Sequence, residues 1–412
     1  MLELSIESDE TTAKEQSLAP RDEGRGDAAT ESDRLTGVDR MRGLVIVLMA
    51  LDHVRLFLHS EALRFSPTDL TQTYPALFFT RFVTHYCAPT FALLAGVGAF
   101  LHLAKAKDHA VTARFLLTRG LWLIFLDAAL VSPVFTQQLG KVALGTLWAI
   151  GGGLIALAPL SYLPPRAVLA LGAVLLAGHD LFDGVHAETL GAFGPLWRLL
   201  HEPGPLPWGL EGRVAYPLAP WIGVVALGFG LGPCFLADAM LRERSFTVAG
   251  VAALLLFAVL RAGNFYGDPR PWSAQPTATL TVLSFLNVSK YPPSLLYALL
   301  TLGPALMLLP RLDRLRGRLG TILADFGRTP LFFYVLHLYL ALAAAFMVDS
   351  LRAGAFPPDI AALAQAAQSG SHGVGLAGVY LAWLALVAAL YPACRAFARL
   401  KRRGSDWWLS YL

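Results

Sequence analysis

Long apolar runs separated by short polar breaks are the dominant pattern along this chain. A bilayer core about 30 Å thick takes about 20 mostly apolar helical residues to cross. Runs of that kind lie at roughly 40–58, 76–103, 113–131, 142–160, 166–182, 216–236, 246–262, 291–310, 328–348 and 374–394. The expected architecture is an all-α, polytopic integral membrane helical bundle of about ten transmembrane helices. Leu163-Pro164-Pro165-Arg166 alone divides the fourth run from the fifth and reads as a tight turn. The seventh run is short and reads as either a span or a re-entrant segment. Pro89, Gly96, Gly98, Gly228 and Gly230 fall inside runs, where they suit kinks and close helix packing.

Composition agrees. The chain has 412 residues, is 55% hydrophobic and only 15% charged, and has a mean hydropathy of +0.54. A soluble chain carries about a quarter charged residues. Residues 1–36 are polar and rich in Glu, Asp, Ser, Thr and Gly, which predicts a disordered cytoplasmic tail. They lack the basic start and apolar core of a signal peptide. One transmembrane domain is expected over 37–400, then a short basic cytoplasmic tail over 401–412. Cys87, Cys234 and Cys394 show neither metal nor disulfide spacing.

Lys and Arg set the expected orientation. With about ten spans, 19 basic residues fall on the side of the N-terminal tail and 10 on the other, with 4 in the tail itself. That bias predicts both ends in the cytoplasm. The basic residues sit at span ends rather than on one soluble face, which argues against nucleic acid as a partner. The expected surroundings are the lipid bilayer, and a homo-oligomer is compatible with them.

Ionisable residues at membrane depth are costly and each is a candidate for function. In the first run Asp52, His53 and Arg55 are close together, and Asp52 and Arg55 share a face. They read either as a self-neutralising pair or as the lining of a polar cavity. In the second run Arg81 and His85 are four apart, with Pro89 beyond. A neutral imidazole there is suited to general-base work at the outer mouth. Asp127 lies near mid-depth of the third run and needs a partner, with Arg81 and Arg55 as candidates. His337 and Tyr334 lie in the ninth run beyond Arg328. Asn287 and Lys290 precede the eighth, where Lys290 either snorkels or binds an anionic substrate. No phosphate-binding glycine loop, HExxH or GxSxG pattern is present, and no metal is expected.

These residues carry a family resemblance. Arg40-Met41-Arg42-Gly43-Leu44, Asp52-His53-Val54-Arg55, Pro67-Thr68-Asp69-Leu70 and the stretch from Phe78 to Pro89 form its most specific block. Tyr216-Pro217-Leu218-Ala219-Pro220-Trp221 and Gly327-Arg328-Thr329-Pro330, with Tyr334 and His337, are further blocks. The chain resembles, over about 37–345, bacterial membrane proteins with the heparan-α-glucosaminide N-acetyltransferase catalytic domain. The resemblance implies a membrane-bound acyltransferase with acetyl-CoA as co-substrate, moving an acetyl group from the cytoplasm to an amino or hydroxyl group of a small-molecule or glycan acceptor outside. A bacterial inner (plasma) membrane is the implied location. It makes Arg42, Arg119 and Arg328 candidates for the CoA phosphates. Where lysosomal members carry an active His, this chain has Arg64, so that residue is not carried over. His85 or His53 is the expected base, Asp52 or Asp127 its orienting carboxylate, and Arg81 a positioning or oxyanion group. Lys290, Asn287 and His337 are expected at the acceptor. Two other classes stay open on the residues alone: a proton-coupled small-molecule transporter, and a non-catalytic membrane scaffold.

Overall fold

The computed structural model describes residues 36–354 and 372–403. All but Thr36 of the tail expected over 1–36, and all but Lys401–Arg403 of the one expected over 401–412, lie outside them; Lys401–Arg403 continue the last helix. Helices dominate. In chain order they are α1 (Thr36–Leu58), α2 (Pro75–Thr84), α3 (Cys87–Ala106), α4 (His109–Leu126), α5 (Thr146–Leu160), α6 (Pro165–Gly178) and α7 (Leu218–Leu231). They continue as α8 (Ala239–Gly263), α9 (Ala278–Leu286), α10 (Leu295–Asp313), α11 (Gly317–Arg328), α12 (Pro330–Ala353) and α13 (Leu376–Arg403).

Each of the ten apolar runs holds a helix. Among the described residues, eight segments are long and apolar enough to cross a membrane. Thr146–Leu160 is apolar but shorter, and α1 is long but carries five charged residues. The seventh run gives no short re-entrant piece. Its helix has 25 residues, because Asp238 accepts from the amides of Met240 and Leu241 and starts the helix in a polar stretch. The amphipathic α11 was not visible as an apolar run.

Helix α1 is central. It packs against α11, α12, α10, α13, α3 and α2. Val45, Ile46, Ala50, Leu51 and Val54 bury its successive faces, as suits a helix enclosed by neighbours on several sides. Its first turn locks onto the end of α10: Arg40 donates to the carbonyls of Leu312 and Asp313 at 2.8 and 3.0 Å, satisfying groups the helix end leaves unpaired. Two crossings rely on glycine. A Cβ on Gly43 or Gly327 would overlap backbone of α11 or α1, and one on Gly96 or Gly228 would overlap backbone of α7 or α3.

Between α6 and α7, and between α4 and α5, the chain builds a small cap. Strands β1 (Val142–Leu144), β2 (Gly204–Pro205) and β3 (Gly212–Val214) pair in the order β1-β3-β2, with β1 parallel and β2 antiparallel to β3. The expected start of the fourth span at 142 is therefore strand, and α5 begins at Thr146.

Gly96→Val is expected to push α3 from α7 and cost about 1–3 kcal/mol of stability. Thermal unfolding in detergent would show a lower midpoint for it and none for Gly184→Ala, whose Cβ meets nothing within 4 Å.

Candidate functional site

The site forms where α1 meets α2, α12 and the loop before α10. Asp52 is its electrostatic anchor. Its carboxylate pairs with Arg55 at 3.1 Å, one helical turn on, and with Arg81 of α2. A carboxylate held between two guanidiniums is the arrangement that makes buried charge tolerable. Arg81 also reaches the hydroxyl of Tyr291 at 3.5 Å, and Tyr291 lies 3.5 Å from the hydroxyl of Tyr216.

His53 points to the other side of α1. Its Nδ1 lies 2.8 Å from Nε2 of His337, and the two rings are 18° from parallel. His337 Nδ1 lies 2.9 Å from the carbonyl oxygen of Phe333. A carbonyl only accepts, so His337 donates from Nδ1 and its Nε2 carries a lone pair. His53 therefore donates from Nδ1, and the lone pair of its own ring sits on Nε2. Among the described residues no hydrogen bond reaches that Nε2, and His53 keeps 9% exposure while His337 has none. Phe135 stands edge-on to His53 at 5.5 Å and Tyr334 at 6.1 Å. The result is a singly protonated imidazole with its basic nitrogen free.

His85 sits in the break between α2 and α3. Pro89 has no amide hydrogen to give to the carbonyl four residues earlier, which is that of His85. The hydroxyl of Tyr297 takes that place, donating to the His85 carbonyl at 2.8 Å. The His85 ring is buried against Phe82 and Tyr297, and its Nδ1 has no hydrogen bond. The second histidine is thus close to Arg81 in sequence but packs on a different set of rings from His53, and no hydrogen bond fixes its Nδ1 among the described residues.

Lys290 is 8% exposed, and its ammonium lies 5.3 Å from the centre of the Tyr291 ring. Among the described residues no ion pair or hydrogen bond reaches that ammonium. Burial raises the Tyr291 phenol, but Lys290, Arg81 and the hydrogen bond with Tyr216 outweigh it and bring it down to about 8. Burial and the neighbouring Tyr291 hold Tyr216 well above the usual tyrosine range. Asn287 has a structural place instead: its side chain donates to the Thr68 carbonyl at 3.0 Å and its carbonyl accepts from Arg261 at 2.8 Å.

Asp127 does not join this group. It opens a π-helical turn, Asp127–Val131, at the end of α4 and is fully buried. Its oxygens accept from the amides of Gly145 and Leu147 at 2.7 and 3.3 Å. The expected partners Arg81 and Arg55 are replaced by the N-terminus of α5, whose unpaired amides suit a carboxylate. Neither Asp52 nor Asp127 orients a histidine; His337 does.

The proposed donor-side arginines divide. Arg328 of α11 lies 3.6 Å from Asp39 and 3.7 Å from Asp325, and Arg42 lies 3.7 Å from Asp39. Arg402 approaches Asp325 at 4.0 Å, and Lys401 donates to the Arg328 carbonyl at 3.1 Å. Arg42 and Arg328 thus meet around Asp39 at the end of the bundle where α1 begins. Arg119 is half-buried on α4, which packs mainly on α5 and α3. Asp39, Asp325 and Tyr297 join these clusters without being singled out by the sequence, and Tyr216 and Tyr291 without being candidates for the site. The two acids had a signal, since each precedes its arginine by three residues.

A cavity of about 260 Å³ lies beside the small sheet, lined by Val142, Leu144, Trp148, Leu206, Trp208 and Leu210 among others. Trp148 donates to the carbonyl of Tyr216 at 3.1 Å, which ties this apolar surface to the tyrosine pair.

Residues 34–263 match the family model described as "Heparan-alpha-glucosaminide N-acetyltransferase, catalytic". Asp52, His53, Arg81, His85, Asp127 and Tyr216 fall within the match; Lys290, Tyr291, Arg328 and His337 fall beyond it. No curated protein sequence matches the chain.

Tyr291 gives up its proton at lower pH in the folded chain than in an unfolded one. The difference stabilises the fold above the ordinary tyrosine range and is lost as pH falls through about 8. Difference absorbance in detergent is expected to show one tyrosinate half-formed near that pH. Tyr291→Phe should remove it, and Lys290→Met should move it upward. A titration showing only ordinary tyrosines would contradict this electrostatic picture.

Proposed function

Since the chain belongs to the heparan-α-glucosaminide N-acetyltransferase catalytic family, we propose that it moves an acetyl group from cytoplasmic acetyl-CoA to an amino or hydroxyl group of an acceptor on the far side of the membrane. The acceptor class that fits is an amino sugar or a related glycan. What carries this reading is the His53–His337 pair, which leaves a basic nitrogen, His53 Nε2, unengaged beside a charged cluster deep in the bundle.

In this reading the acceptor N–H or O–H lies against His53 Nε2. As the acceptor attacks the thioester carbonyl, the new C–N or C–O bond forms and the proton passes to His53. Collapse of the tetrahedral intermediate breaks the C–S bond, and the departing thiolate takes the proton from His53. His337 supports the imidazolium because its Nε2 accepts from His53 Nδ1 throughout. Lys290, whose buried ammonium makes no direct ion pair or hydrogen bond among the described residues, is placed for an anionic acceptor group or the developing oxyanion. Arg81 holds Asp52 and Tyr291 and so positions the wall rather than the reacting atoms. His85 lines the same region and is the alternative base.

The acetyl-CoA end is the cluster around Asp39. Arg42 is 27% exposed at its side chain and can turn to a phosphate, whereas Arg328 is held between two carboxylates at 10%. Both chain ends in the cytoplasm, in a bacterial inner membrane, would put that cluster on the donor's side.

Purified protein in proteoliposomes should consume acetyl-CoA, release CoA and acetylate a glucosamine-type amine. Arg42→Gln should raise KM for acetyl-CoA by about tenfold with kcat little changed, the signature of a lost binding contact. Folded protein that neither binds acetyl-CoA nor releases CoA with any amino or hydroxyl sugar would overturn the proposal. Lys290→Met is expected to weaken anionic acceptors more than neutral ones, and equal loss for both would contradict its assigned role.

A further inference from the structure

A second cluster of ligating side chains lies away from the His53 site, after α6. His179, Asp183 and His201 each turn one ligand atom to a common point, and these atoms all lie within 4.8 Å of one another. Nε2 of His201 and Oδ1 of Asp183 are 3.3 Å apart. Two ligands each about 2.0–2.1 Å from a tetrahedral zinc ion are separated by about that distance. Both histidines are 4% exposed.

The polar atoms here are poorly served by the protein itself. Among the described residues neither ring nitrogen of His179 has a well-aligned hydrogen bond, and neither does Oδ1 of Asp180; the Pro293 backbone and the Asp180 carboxylate only approach the ring. A buried imidazole so weakly held is costly without a further partner. Asp180 Oδ1 lies 3.2 Å from His179 Nε2. That carboxylate can take the N–H of one nitrogen and leave the lone pair on the other, as outer carboxylates do for metal-bound histidines. The other oxygen of Asp180 is fixed by the amide of Leu295 at 2.9 Å. Trp197 packs on His201 with ring centres 4.7 Å apart and donates to the Val185 carbonyl at 2.8 Å, which holds the loop in place.

We propose that His179, Asp183 and His201 form a binding site for a divalent transition-metal ion, of which Zn²⁺ fits the two imidazoles and one carboxylate best, with water completing the coordination. The ion ties the segment 183–201 to the end of α6. Through Asp180 and Leu295 it also braces the start of α10, next to the loop that carries Lys290 and Tyr291. Its role is structural, and the acetyl transfer proposed above does not pass through it.

The test uses the full chain, purified in detergent with a tag free of histidine. Zinc content after dialysis is expected at about one ion per chain, and Co²⁺ in its place should give the visible ligand-field bands of a four-coordinate site. His179→Gln and His201→Gln should each weaken binding by at least about tenfold, with circular dichroism reporting that the helices persist. His186→Gln, at an exposed histidine beside Glu202, should bind as the wild type does. Should the two variants fail to fold, the wild-type Co²⁺ spectrum still decides. Wild-type protein with no bound zinc and no four-coordinate Co²⁺ spectrum overturns the proposal, and so does undiminished binding in folded His179 and His201 variants. The readout is the metal, so it stands or falls apart from acetyl transfer.

Discussion

A charge in the middle of a helical membrane bundle needs an opposite charge within reach, and that requirement organises this structure. Asp52 lies well along the central helix, with Arg55 one turn on and Arg81 reaching across from α2. The pairing fixes how the first two spans face each other. It also places the Tyr291 loop, through the Arg81 contact, at the same point. Removing one partner would leave a buried charge uncompensated, which costs about 3–5 kcal/mol in comparable buried pairs. The helix can then present His53 on its other side without that residue having to balance the charge of its neighbour.

Two further polar arrangements follow from backbone geometry. Pro89 frees the carbonyl of His85, and Tyr297 satisfies it, which opens the second span beside the charged cluster. The π-turn at Asp127 sets its carboxylate against the start of α5. One acid is therefore held by guanidiniums and the other by backbone amides, although both lie inside apolar runs. At the opposite end of α1, Asp39, Arg42, Asp325 and Arg328 bring α1 and α11 together through a glycine crossing. In the proposed transfer, the arginines at this end of α1 would meet the donor, and His53, further along the same helix, the acceptor.

The helices were legible because apolar length is a local property. The ten runs all became helices, and the Asp52–Arg55 pair was readable from its spacing. The strand at 142–144 was hidden in an apolar run, since the partners that engage its backbone, Ser132 and the distant strand β3, are not visible from the run itself. α11 was hidden for the reverse reason, as an amphipathic helix among basic residues. The site was legible only in its members. His53 and His337 are 284 residues apart, and nothing local says that their rings meet. The same holds for His179 and His201, whose separation matches no familiar metal spacing. For Asp127 the candidate partners were Arg81 and Arg55, whereas amides at the start of α5 fill that place, and nothing local in the sequence separates the two.

The central claim is that His53, with its tautomer set by His337, takes the acceptor's proton. The most direct measurement is the single-turnover rate of acetyl transfer by His53→Ala in proteoliposomes at saturating acetyl-CoA, with acetyl-CoA binding measured on the same preparation. Unchanged binding and a rate lower by roughly 10²–10⁴-fold, the usual contribution of a general base, are expected. Unchanged binding with a near wild-type rate would contradict the claim and pass the role of base to His85.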